Sequence, residues 1–119
     1  MSRRAERVGE LIRDEISELL RRQTRDPRLS GNSVISITQV ELTDDLRFAK
    51  IYVSILGETE EENRETFGSL VHAAGFFRHE LGQRLSLRYV PEISFRLDTS
   101  IQQGDRIMQL LKEIEKREE

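Results

Sequence analysis

Ala73-Ala74-Gly75 stands between two runs of helical periodicity, and this stretch limits the fold more than any other. The segment Thr59 to Pro91 reads TEEENRETFGSLVHAAGFFRHELGQRLSLRYVP. Phe67, Leu70, Val71 and Ala74 recur at i, i+3, i+4, i+7, which is one face of a helix. Phe77, Leu81 and Leu85 continue at steps of four. Thr59 with Glu62 predicts a capping box, each side chain reaching the other residue's backbone N–H. Glutamates 58 and 60–62 then lie where the helix dipole favours negative charge. Glycine weakens a helix by roughly 1 kcal/mol relative to alanine. The expected structure is therefore a helix, a bend at Gly75 and a second helix, with Arg78 just beyond the bend. A kinked core helix is the plainest account of these spacings. Close approach of a ligand backbone to the small residues is the functional one.

The remaining elements follow in order. Val8, Ile12, Ile16 and Leu19, flanked by Leu11 and Leu20, form the apolar stripe of a first helix over residues 3–25. Arg3, Arg7, Arg21 and Arg25 fall on the opposite side with Glu10, Asp14 and Glu18. Glu18 and Arg22 make an i,i+4 pair in the favoured order. Asp26-Pro27 ends the helix, because proline disfavours helical geometry in the residue before it. Val34 to Leu42 reads as a strand in which Ile35 and Ile37 have one parity, Val40 and Leu42 the other. A bulge near Gln39 reconciles them. Thr43-Asp44-Asp45 is a turn. From Arg47 to Ile55, Ala49, Ile51, Val53 and Ile55 face a core, while Phe48, Lys50, Tyr52 and Ser54 take the other side. That outer face suits either cross-strand packing or base stacking. Pro91 opens a third strand with Ile93, Phe95 and Leu97 inward. Ser100 with Gln103 caps a final helix carrying Ile107, Leu110, Leu111 and Ile114, and residues 112–119 read as a frayed, charged tail.

The expectation is one α+β domain over residues 1–119, with a three-stranded sheet and helices on one face. Several functions are disfavoured. The chain has no cysteine, which removes disulfides and thiolate zinc sites and suits a reducing cytosol. No apolar run approaches a membrane span. No phosphate-binding glycine loop or H-E-x-x-H motif occurs. His72 and His79 lack a placed carboxylate, so no metal is expected, and no nucleophile–base pairing is legible. The formal net charge is −3, yet the charge is uneven. From Gly75 to Pro91 Arg78, Arg84 and Arg88 face Glu80 alone, and residues 1–28 hold eight arginines against six acids. Such polarity steers an anionic partner despite a negative total.

The element order is that of a type II KH domain, α-β-β-α-α-β, although no G-x-x-G occurs anywhere in the chain. With Ala73-Ala74-Gly75 at the interhelical junction, the chain resembles the ribosome-binding factor A family. Arg25-Asp26-Pro27-Arg28 resembles that family's D-P-R segment. Asp45-Leu46 and Ala49-Lys50-Ile51-Tyr52-Val53 resemble its second-strand signature. Phe76-Phe77-Arg78, Leu87 to Pro91 and the run Phe95 to Ile101 extend the likeness over nearly the whole chain. Thr43-Asp44 departs from the Ser-Pro often found there.

The resemblance implies a cytoplasmic, non-enzymatic factor that binds the free or immature 30S subunit. It implies help with late maturation of 16S rRNA at its 5′ end and a role in cold adaptation. No cofactor, membrane or small-molecule substrate is expected, and monomer is the default state. The candidate RNA-contacting residues are Arg22, Arg25, Arg28, Arg47, Lys50, Arg78, Arg84 and Arg88, because guanidinium forks and ammonium groups match phosphate. Arg78 and Arg84 lie about 120° apart around their helix, so they need not touch one RNA segment. Two other readings stay open: a general KH-like RNA-binding module off the ribosome, and a protein–protein adaptor using the acidic Glu58–Glu65 end.

Overall fold

The structure, a computed structural model, describes residues 2–23 and 34–98. The expected end of the first helix at Asp26-Pro27, the loop before Val34 and the final helix lie outside the described residues. In chain order the elements are α1 (Arg3–Gln23), β1 (Val34–Leu42), β2 (Phe48–Leu56), α2 (Glu60–His72), α3 (Ala74–Arg84) and β3 (Glu92–Leu97).

The sheet has the order β1-β2-β3. β1 and β2 pair antiparallel through the turn at 43–47, and β3 returns parallel to β2 after the two-helix crossover. The bulge expected near Gln39 is present. Ile37 pairs with Val53 and Gln39 with Tyr52, which leaves Thr38 as the extra residue. The shift lets Ile37 and Leu42, of opposite parity, both be buried. Thr38 Oγ1 donates to Asp98 Oδ2 at 2.7 Å, which ties the bulge to the end of β3. Arg13 Nη2 donates to the Ile37 carbonyl at 3.2 Å and so joins α1 to the same spot.

The core lies between the sheet and the helices. Ala5, Ile12 and Ile16 of α1 are completely buried, as are Ile51, Val53 and Ile55 of β2 and Leu70, Phe77 and Leu81 of the crossover. Phe77 packs edge-on against Phe95, with ring centroids 5.5 Å apart. That geometry matches the quadrupoles of the two rings.

Three apolar residues depart from the expected core. Leu11 and Val71 are about half exposed, and Leu97 is 42% exposed. Leu11 lies one step beside its stripe, about 100° around the helix from Ile12. In α2 Thr66 is buried with Leu70, so the inward face is rotated toward Thr66 and carries Val71 out to solvent. Leu97 ends β3, where it borders an open cleft beside Glu60, Asn63, Arg64 and Phe67. One polar residue goes the other way: Ser54, expected on the outer face, is buried, and its hydroxyl lacks a partner.

Helix starts follow local chemistry. Ser2 caps α1: its Oγ accepts from the Ala5 N–H at 3.1 Å, and its own N–H donates to Asp44 Oδ1 at 3.1 Å. Thr59 caps α2 by accepting from the Glu62 N–H at 3.0 Å. The return bond of the box is displaced by one residue: Glu62 Oε2 accepts from the Glu58 N–H, not from that of Thr59.

Candidate nucleic-acid interface

The two crossover helices separate at Ala73, not at Gly75. Ala73 has φ −85° and ψ 1°, closes α2 and precedes α3. Its N–H is shared between the carbonyls of Ser69 and Leu70, at 3.0 and 3.1 Å, and its own carbonyl accepts from the Phe77 N–H. Any L residue adopts these angles, so the elbow needs no glycine. Gly75 is the second residue of α3 and is exposed, and a Cβ built on it would meet nothing within 4 Å. Bare backbone is thus presented at the elbow, unfilled by the protein's own atoms.

Three residues near Gly75 on α3 are exposed. Arg78 and His79 stand one turn further along α3, and both are exposed. Phe76 is 42% exposed, with its ring edge-on to Phe77. Arg78 Nη2 donates to the Val90 carbonyl at 3.3 Å, which holds the guanidinium along the surface. The loop after α3 comes this close because Gly82 has no side chain: a Cβ there would stand 3.1 Å from Val90 Cγ2.

Arg84 belongs to a different environment. It is nine residues beyond Gly75, about 180° around the helix. Its Nη1 lies 3.4 Å from Glu15 Oε2 on α1 and its Nε 3.7 Å from Glu80 Oε2. With its side chain only 25% exposed and two carboxylates beside it, Arg84 braces α3 on α1. The divergence of Arg78 and Arg84 that helical geometry predicts is what the fold displays.

The other candidate cations are dispersed. Arg22 pairs with Glu18 at 3.2 Å at the exposed end of α1. Arg88 lies in the loop after α3, with its guanidinium carbon 5.5 Å from the centre of the Tyr89 ring. Arg47 follows the β1–β2 turn, and Lys50 lies on the outer sheet face opposite Glu41. Arg25 and Arg28 fall outside the described residues. The outer sheet face mixes signs: Glu41 and Glu92 stand among Lys50 and Arg96, and the Tyr52 hydroxyl points to Glu41 Oε2 at 3.5 Å. A phosphate backbone laid across it would meet both charges.

The β1–β2 turn is tightly bonded. The Thr43 hydroxyl donates to Asp45 Oδ1 at 2.6 Å, and the Arg47 N–H donates to the same oxygen at 3.1 Å. These bonds, Thr43 first, hold the Asp45 carboxyl below its ordinary value. Leu46 adopts a left-handed backbone, φ 62°, with its N–H on the Thr43 carbonyl at 2.8 Å. Sequence reasoning passed over Arg4 and Tyr89, which this turn brings together with Arg88 around one cleft. An aromatic beside arginine in a loop was the only available signal. Among the described residues no group of three or more His, Asp or Glu could hold a metal ion, and no helix is long and apolar enough to cross a membrane.

A mixed three-stranded sheet, a two-helix crossover with a tight elbow and a third helix on the same face define a type II KH-like α+β protein. A family model described as ribosome-binding factor A matches residues 4–111. The chain is 49% identical to ribosome-binding factor A of Caldanaerobacter subterraneus subsp. tengcongensis, covering 99% of this chain and 94% of the other. It is 52% identical to that of Dictyoglomus thermophilum, covering 96% and 92%. Its fold matches the solution structure of a Thermotoga maritima candidate ribosome binding factor A with a TM-score of 0.65, at 38% identity over 81% of this chain and 88% of the other. The crystal structure of ribosome-binding factor A from Thermus thermophilus, 22% identical, shares the fold with a TM-score of 0.61 over 78% and 94% of the two chains. The chain belongs to the ribosome-binding factor A family.

Proposed function

We propose that this protein binds the free or immature 30S subunit in the cytoplasm and assists late maturation of 16S rRNA at its 5′ end. It acts by binding alone, as a monomer without a cofactor, and matters most in the cold, where misfolded RNA escapes slowly. The observation that carries this reading is the open space over Gly75 at the α2–α3 elbow, with Arg78 one turn away. RNA backbone can approach bare helix there, and Arg78 can bond a phosphate. Arg88, Arg47, Lys50 and Arg22, with Arg25 and Arg28, supply further cations around the molecule. Arg84 serves the scaffold. Family membership supplies the ribosomal partner. A factor of this kind shifts ribosomal RNA only by its differential affinity for one conformation.

The test is sedimentation with small subunits through sucrose gradients over a salt series. Arg78→Ala combined with Arg88→Ala lowers affinity and flattens the dependence of log K on log salt by roughly 1.5 to 2. Arg84→Ala leaves that slope in place. An unchanged slope in the double variant refutes the assignment. Capture of RNA of every origin without subunit enrichment favours a general RNA-binding module.

A further inference from the structure

A second site lies at the other end of α3. The start of α1, the β1–β2 turn and the loop before β3 enclose a cleft of about 280 Å³. That is just under the usual range for ligand pockets and has room for one planar ring system. Its floor is apolar: Val8 and Pro91 are buried, and Leu87 is half-buried. Tyr89 stands at the edge, 67% exposed, its ring carrying the Arg88 guanidinium 5.5 Å from its centre. Arg4 and Arg88 bring two guanidinium groups, and Asp44 and Asp45 bring two carboxylates. Leu46, also in the wall, holds its left-handed backbone at a cost an ordinary turn would avoid.

We propose that this cleft takes the base of an unpaired guanosine in RNA. The inference rests on the RNA-binding reading above and adds a base-reading subsite to it. A phosphate is repelled by the two carboxylates, so the anionic part of a nucleotide stays at the mouth with Arg4 and Arg88. The ring enters over the apolar floor and stacks on Tyr89, the usual way proteins hold a splayed-out base. Asp44 reads its edge. One Asp44 oxygen accepts from the Ser2 N–H at 3.1 Å, which fixes the carboxylate while leaving lone pairs on both oxygens. Guanine alone among the four RNA bases offers two adjacent donors, N1–H and N2–H, to a single carboxylate. Adenine, cytosine and uracil each set an acceptor beside their donor and meet repulsion. Asp45 Oδ1 already accepts from Thr43 and Arg47 and shapes the turn.

The experiment is an amide NMR titration of the full chain. The probes are the four nucleoside monophosphates and the RNAs 5′-UUGUU and 5′-UUAUU. Guanosine monophosphate and the guanine pentamer shift the Leu46, Tyr89 and Ala5 amides and bind about tenfold tighter than their adenine counterparts. Asp44→Asn, which replaces one acceptor by a donor, removes that preference without altering amides far from the cleft. Tyr89→Leu weakens every base about tenfold. Equal response to all bases, or shifts confined to the α2–α3 elbow, overturns the proposal. So does binding of the free nucleotide with none of the guanine pentamer. Sedimentation of the same variants separates the two readings: wild type that binds subunits but not guanine removes the cleft alone. Guanine binding without subunit association removes the ribosomal reading alone.

Discussion

Gly75→Ala separates what the fold needs from what a partner needs. The residue sits in the first turn of α3 with an ordinary backbone, and an added Cβ would meet nothing within 4 Å. The substitution therefore introduces no clash. It removes conformational freedom from the unfolded chain and adds helix propensity, worth a few tenths to about 1 kcal/mol in favour of the fold. For a domain of this size that raises Tm by roughly 2–6 °C. In a complex the sign reverses. If RNA backbone lies against Gly75, a methyl group wedged into the contact costs about 1–3 kcal/mol, which is roughly 5- to 150-fold in affinity. Thermal unfolding by circular dichroism reads the first quantity, and titration of labelled protein against purified 30S subunits reads the second. The expected pair is a more stable protein that binds more weakly. A destabilised variant would mean that the glycine serves the elbow after all. A stabilised variant with unaltered affinity would mean that no partner touches this turn.

Three further outcomes follow from the packing and the turn. Phe77→Ala empties a fully buried site against Phe95 and costs about 3–5 kcal/mol, measurable as a lower urea midpoint. Thr38→Val keeps the volume of the bulge residue but deletes its 2.7 Å bond to Asp98; about 1.5–3 kcal/mol of stability is lost, and amide exchange accelerates at the end of β3. The Asp45 carboxyl is depressed by hydrogen bonds present only in the folded state. Its contribution is therefore complete above its ordinary value of 3.8 and drains away as pH falls through the lower folded value. A carbon-detected titration of Asp45 shows the depressed midpoint, and Thr43→Val moves it upward, because the hydroxyl is the first cause of the shift.

Much of the architecture was legible because its causes are local or periodic. Alternation along β2 places Ala49, Ile51, Val53 and Ile55 inward whatever surrounds them, and the parity conflict in β1 demands a bulge. Thr59 announced a helix start through a side chain that reaches only a few residues. Tertiary neighbours decide the rest. Helical spacing sets Arg84 beside Glu80 and away from Arg78, but its second carboxylate, Glu15, lies 69 residues away in sequence. Within Ala73-Ala74-Gly75, glycine marks where a helix can yield most easily, yet the break falls at Ala73.

The order of the described elements, most of the inward stripes and the family were written in the residues, since spacing and local hydrogen bonding act residue by residue. Folding alone decided which cations are spent inside the protein. It also decided that Gly75 faces empty space and that Arg4, Asp44, Arg88 and Tyr89 converge on one cleft. Those facts depend on distances between segments far apart in the chain, and no local pattern encodes a distance of that kind.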